Sequence, residues 1–140
     1  MTELSDTPDD AAASRRERAS GVMVLIVDDE VDLARTCERL LRRHGYDVVT
    51  ATTRASALTA LAAGTSWLVV CDVRLPDGSG LDVVRAARQQ TPPARAIVMT
   101  GRPSETGRRA ALDSGADEYM TKPFSASSFA ALVDRTLGRP

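Results

Sequence analysis

The sequence predicts an α/β domain, a doubly wound five-stranded parallel sheet with helices on both faces. Two observations predict it. Short β-branched apolar runs alternate five times with segments whose apolar residues recur at helical spacing. The runs are apolar throughout, as strands covered on both faces must be. Strand, helix and strand in succession return along a sheet in parallel.

Each element follows in order. Residues 1–20, "MTELSDTPDDAAASRRERAS", hold almost no large apolar side chain, so burial cannot offset the entropy of ordering them, and a flexible tail is expected. "VMVLIV", Val22–Val27, is the first strand, ending at Asp28. Leu33, Cys37, Leu40, Leu41 and His44 form the stripe of the first helix, which Gly45 ends as a C′ residue. "YDVVTA" is the second strand, and Arg54–Ala63 a helix stopped by Gly64. "WLVVCD", Trp67–Asp72, is the third strand; Pro76, Asp77, Gly78 and Gly80 after it read as turn chemistry. Leu81–Gln90 is a helix closed by Pro92 and Pro93, and Ala96–Thr100 the fourth strand. Ser104 is the expected N-cap of a helix running to Ser114, with Gly115 beyond it. That helix has few large apolar residues and carries Gly107, so it should be loosely held. "EYMT" is the fifth strand, and Phe129, Leu132, Val133 and Leu137 mark the last helix. One domain over 21–138, with no effector domain, is the expected organisation.

Composition narrows the function classes. A formal net charge of −1 argues against nucleic acid or an anionic membrane as a direct partner. No apolar run spans a bilayer and no secretory pattern opens the chain, so a cytoplasmic location is expected. Cys37 and Cys71 are far apart among apolar neighbours and read as buried thiols.

The parallel order gives the polar residues an address. Ligands of open α/β sheets bind outside the carboxyl ends of the strands. Asp28 and Asp29 follow strand one, while Asp72, Thr100 and Lys122 lie at the ends of strands three, four and five. Three carboxylates crowded together repel one another; a hard divalent cation such as Mg²⁺ relieves that repulsion and leaves room for a phosphate. A carboxylate can also attack phosphorus, with a lysine and a hydroxyl holding the phosphoryl oxygens. Lys122 is the sole lysine among 18 basic residues. A compact ammonium suits a small anion pocket better than the wide fork of an arginine. The plainer alternatives are a solvated surface lysine, an N-cap cluster in "DDE", a turn Asp72, a strand threonine and a packed strand tyrosine at Tyr119.

"VLIVDDE", "VVCDVRLPDGSGLDVVR", "IVMTG" and "YMTKPF" together closely resemble the receiver domain of bacterial two-component response regulators, from about Val22 to Leu137. The resemblance implies a flavodoxin-like (βα)5 fold with strand order 2-1-3-4-5. It implies that Asp72 is the phosphoacceptor and that Mg²⁺ is held by Asp29, Asp72 and the Arg74 carbonyl, with Asp28 acting through water. It further implies that Thr100 and Lys122 contact the phosphoryl group, that Tyr119 is a switch residue, and that the Lys122–Pro123 bond is cis. The side chains of Arg74 and Arg102, two residues beyond Asp72 and Thr100, are expected at the rim, where they modulate hydrolysis. His44, the only histidine, reads as a helix-end residue. The donor histidine should therefore belong to a partner, a sensor histidine kinase or histidine phosphotransfer protein. The fourth helix, fifth strand and fifth helix are the expected output face, for a protein target or self-association.

Three other functions fit less well. A haloacid-dehalogenase-type phosphohydrolase resembles D-x-D after its strand, but here Arg74 takes the general acid's place and cannot give up a proton. A nucleotide-binding domain needs G-x-G-x-x-G or a P-loop, and "GRPSETG" is neither. A pseudo-receiver should have lost some of the five pocket residues, and all five are present. The expectation is a signalling switch that assists its own phosphorylation and dephosphorylation, not a metabolic enzyme.

Overall fold

A computed structural model describes residues 23–64, 66 and 68–138. The tail expected over 1–20, and the strand positions Val22 and Trp67, lie outside the described residues. Strands β1 (Met23–Val27), β2 (Asp47–Ala51), β3 (Leu68–Asp72), β6 (Arg95–Thr100) and β7 (Glu118–Thr121) form one parallel sheet in the order β2-β1-β3-β6-β7. Leaving aside the hairpin described below, this is the expected order 2-1-3-4-5. The helices are α1 (Val31–Arg43), α2 (Arg54–Ala63), α3 (Gly80–Arg88), α4 (Glu105–Asp113) and α5 (Ala126–Thr136).

The unbroken apolar strands are explained by two cores, one on each face. Leu25, Val27, Val69, Cys71, Ala96 and Val98 point into one core with residues of α2, α3 and α4. Their neighbours Val24, Ile26, Leu68, Val70, Ile97 and Met99 point into the other, with residues of α1 and α5. Side chains alternate across a strand, so covering both faces demands an apolar residue at every position. Each fully buried Val, Leu or Ile contributes roughly 1.5–3 kcal/mol relative to exposure.

Local chemistry sets the helix ends. Thr53 Oγ1 accepts the Ser56 N–H in a reciprocal capping box at α2. Ser79, Ser104 and Ser125 cap α3, α4 and α5 through their hydroxyls. Gly45 follows α1 with φ 93°, the left-handed conformation that ends helices and favours glycine. The buried stripe of α1 is Ala34, Cys37 and Leu41. His44 does not belong to it: it is the exposed C-cap residue. Only Ala111 of α4 is buried, in keeping with a lightly packed helix.

The stretch after β3 differs from a plain turn. Arg74–Leu75 (β4) pairs antiparallel with Gly78–Ser79 (β5), a hairpin whose loop is Pro76–Asp77. Gly80 is the buried first residue of α3, which therefore starts before Leu81 and ends at Arg88 rather than Gln90. A Cβ on Gly80 would lie 1.9 Å from the Asp72 carbonyl oxygen. Close approach, not turn conformation, makes glycine necessary there. The Asp77 carboxylate accepts the N–H groups of Arg54 (2.7 Å) and Ala55 (2.9 Å), capping α2 from a distant part of the chain.

Candidate functional site

Because all five strands of the sheet run parallel, their carboxyl ends share one edge. Register places Val27 beside Cys71, Asp72 beside Met99 and Thr100 beside Thr121. Asp28, Asp72, Thr100 and Lys122 are thereby brought together from chain segments up to 94 residues apart. A cleft of about 690 Å³ opens above them, lined among others by Asp29, Asp72, Arg74, Thr100, Arg102 and Lys122.

Lys122 is the hub. Its Nζ donates to Asp72 Oδ2 at 2.7 Å and to Glu30 Oε1 at 2.6 Å. Asp28 Oδ2 lies 2.7 Å from the same ammonium, but without hydrogen-bond geometry, so that contact is Coulombic. Burial works against the charged ammonium, yet the surrounding carboxylates of Asp28, Asp72 and Glu30 outweigh it and raise the lysine pKa. Asp28 is fully buried, and that burial raises its pKa despite the neighbouring Lys122. The backbone completes the pocket. Asp72 Oδ1 accepts the Arg74 N–H at 3.0 Å, and Thr100 Oγ1 accepts the Arg102 N–H at 3.0 Å. The Lys122 N–H donates to the Thr100 carbonyl at 2.8 Å, tying β6 to β7 at the site. Lys122–Pro123 is cis, as the resemblance implies, and so is Thr91–Pro92.

The donor set fits a hard cation. One carboxylate oxygen each from Asp28, Asp29 and Asp72 lies within 4.8 Å of the others. Asp28 Oδ2 is buried and lacks a hydrogen-bond donor, the condition in which a carboxylate oxygen gains most from a cation. An all-oxygen set suits Mg²⁺ or Ca²⁺ rather than softer metals. The thiols take no part. Burial pushes Cys37 up to about 11 and raises Cys71 further, so both stay protonated and inert.

The remaining expected residues are placed as follows. Arg74 and Arg102 are exposed at the cleft rim. Tyr119 is half-buried, its ring against the core beneath α4. The Ser104 N–H points at its hydroxyl across 3.4 Å, and a Cβ on Gly107 would come within 3.1 Å of that oxygen. Tyr119 thus meets α4 where the helix lacks a side chain. Sequence reasoning missed Glu30, which is part of the lysine's cage; the third acidic letter of "DDE" was the available signal.

The family model of the response regulator receiver domain matches residues 24–134. The chain is 41% identical over 117 residues to the transcriptional regulatory protein KdpE of Mycobacterium tuberculosis, covering 84% of this chain and 51% of that protein. It superposes on the receiver domain (CheY-like) from Methanospirillum hungatei with a TM-score of 0.79 at 27% identity, covering 84% of this chain and 94% of that one. A Burkholderia pseudomallei response regulator, described with a phosphorylated aspartic acid, calcium ion and citrate, aligns with a TM-score of 0.72 at 30% identity. That match covers 85% of this chain and 75% of the other. The chain belongs to the response regulator receiver domain family of two-component systems. Its fold is the flavodoxin-like α/β fold of CheY-like receivers. The chain spans about half the length of the curated relatives it matches. Among the described residues no helix is long and apolar enough to cross a membrane.

Proposed function

We propose that this receiver is a phosphorylatable switch in which Asp72 accepts a phosphoryl group from a phosphohistidine of a sensor histidine kinase or histidine phosphotransfer protein. The observation that carries the reading is the Asp72 carboxylate at the cleft floor, 2.7 Å from the only lysine ammonium and within 4.8 Å of two further acidic oxygens. An Asp72 oxygen attacks phosphorus as the P–N bond breaks, and the imidazole nitrogen keeps the bonding pair. Asp29, Asp72 and the Arg74 carbonyl would hold Mg²⁺ directly, with Asp28 acting through water. When bound, Mg²⁺ supplies the positive charge that offsets the phosphoryl oxygens. Lys122 donates to one of those oxygens. Thr100 already accepts from the Arg102 amide, which leaves its O–H free to donate to another. Water later hydrolyses the acyl phosphate and resets the switch, so the domain assists its own reactions without being a turnover enzyme.

The output is read on α4, β7 and α5, with Thr100 and Tyr119 as switch residues. The weak anchoring of α4 and the contact of Tyr119 with its first turn support that placement. The target is a protein partner or a second receiver, with no direct nucleic acid or membrane contact by this domain, and the setting is the cytoplasm. Incubation with Mg²⁺ and acetyl phosphate, followed by intact-mass measurement, tests the acceptor. One phosphoryl group should be gained only with a divalent cation, and not by Asp72→Asn. Undiminished labelling of the Asn variant elsewhere in the chain would refute the assignment.

A further inference from the structure

Glu30 is the pocket carboxylate to which the mechanism above gives no task. It is the N-cap residue of α1, where a side chain ordinarily turns back to accept the first amides of its helix. Glu30 makes no such bond. Its backbone is fixed on both sides: its N–H donates to Asp28 Oδ1 at 2.9 Å, and its carbonyl accepts the Ala34 N–H at 3.0 Å. From that anchor the side chain crosses to the end of β7, where Oε1 lies 2.6 Å from Lys122 Nζ.

An ammonium has three N–H groups and no more. In this chain Glu30 and Asp72 accept two of them, and Asp28 faces the same nitrogen at 2.7 Å as an ion pair without a hydrogen bond. A phosphoryl oxygen arriving at Asp72 competes with these carboxylates for the ammonium, and the partner held least firmly is the one displaced. Asp28 is fully buried and the Asp72 side chain is 13% exposed, and both belong to the acidic triad that suits a cation. The Glu30 side chain is 61% exposed and stands outside that triad. Released, it returns to water, whereas a buried carboxylate losing its cation stays desolvated.

We propose that Glu30 is a latch on Lys122, holding the ammonium in the unphosphorylated chain and slowing phosphoryl loading, because it draws Lys122 away from the incoming group. The inference rests on the reading of Asp72 as phosphoacceptor. Glu30 is a positioning residue, acting through Lys122.

The test uses the full chain and Glu30→Gln, which keeps size and removes charge. Because Lys122 is the only lysine, isotope labelling of lysine gives one side-chain ammonium signal. Without any phosphodonor, hydrogen exchange of that ammonium should be about two- to fivefold faster in the variant, the factor corresponding to one solvent-exposed ion pair. With acetyl phosphate at saturating Mg²⁺, loading should quicken by a similar factor of about two to five. In that step Asp72 gains the phosphoryl group and acetate leaves with the bonding pair. Asp32→Asn, which removes another exposed carboxylate from the first turn of α1, controls for net charge. Equal exchange, equal loading, or an equal gain in Asp32→Asn overturns the latch while leaving the phosphoacceptor reading standing. No loading in wild type and variant alike overturns that reading, and the latch falls with it.

Discussion

A guanidinium stands two residues beyond a pocket residue twice at the cleft rim, at Arg74 and at Arg102. Both are exposed, and each is long enough to fold over the cleft or to extend into water. Hydrolysis of an acyl phosphate needs a water in line with the bond that breaks. A guanidinium over the rim obstructs that approach and pairs with phosphoryl oxygens outside the metal shell. Trimming both residues to alanine is expected to speed phosphoryl loss roughly threefold, about 0.7 kcal/mol of barrier. The check is the decay of phosphorylated protein after donor removal at constant Mg²⁺; an unchanged or slower decay leaves the two arginines as ordinary surface residues. At this scale the strand-end positions of Asp28, Asp29, Asp72, Thr100 and Lys122 were legible, because strand ends are readable from apolar runs. The contact of Glu30 was not, because it depends on a side chain reaching a partner 92 residues away. A carboxylate after "DD" at a helix start reads as favourable to the helix dipole, and nothing local shows that it turns elsewhere.

Between β3 and α3 the hairpin is the element that sets the pocket's geometry. Gly80 N–H donates to the Val73 carbonyl at 2.7 Å, and the Gly80 Cα rests against the Asp72 backbone. Gly80→Ala drives a methyl into that backbone, where no flexible side chain can yield. A loss of about 2 kcal/mol or more is expected, the upper range of overpacking costs, read as a lower denaturation midpoint. Asp77 makes the second tie. The backbone N–H groups of Ala55 and Arg54 hold its carboxyl below the usual aspartate range. A depressed folded-state pKa stabilises above the unfolded value of about 3.9 and ceases to do so as pH falls through the folded value. Asp77→Asn should therefore melt at a lower temperature than wild type at pH 7, with the gap closing below about pH 4. A gap that persists at low pH means the carboxylate charge was not what mattered. The hairpin itself escaped sequence reading because two-residue strands are too short to show a period. Pro76 and Asp77 nevertheless marked its loop correctly, since their turn chemistry is local.

For the molecule as a whole, the acidic pocket is expected to link metal binding to stability. Asp28, Asp29 and Asp72 are gathered only in the folded chain, so a cation that binds there stabilises the fold by mass action. At a hundredfold excess over Kd the gain is about 2.7 kcal/mol. Thermal melts with and without Mg²⁺ should show this rise, and Asp29→Ala should lose more of it than Asp28→Ala, because a direct ligand contributes more than a water-mediated one. An equal loss, or the reverse order, counts against the assigned roles. The global topology was legible for a physical reason: a parallel sheet imposes apolar runs, helices and strand-end polar residues in a fixed sequence. The same sheet divides the interior in two, so Leu25 and Val83 share one compartment while Ile26 and Phe129 share the other. A hydrogen-bonded backbone layer stands between them and passes on little of a change in side-chain volume. In the drift of this sequence over time, compensating swaps of large for small residues should arise between neighbours within a compartment and seldom across the wall, leaving each half free to wander on its own.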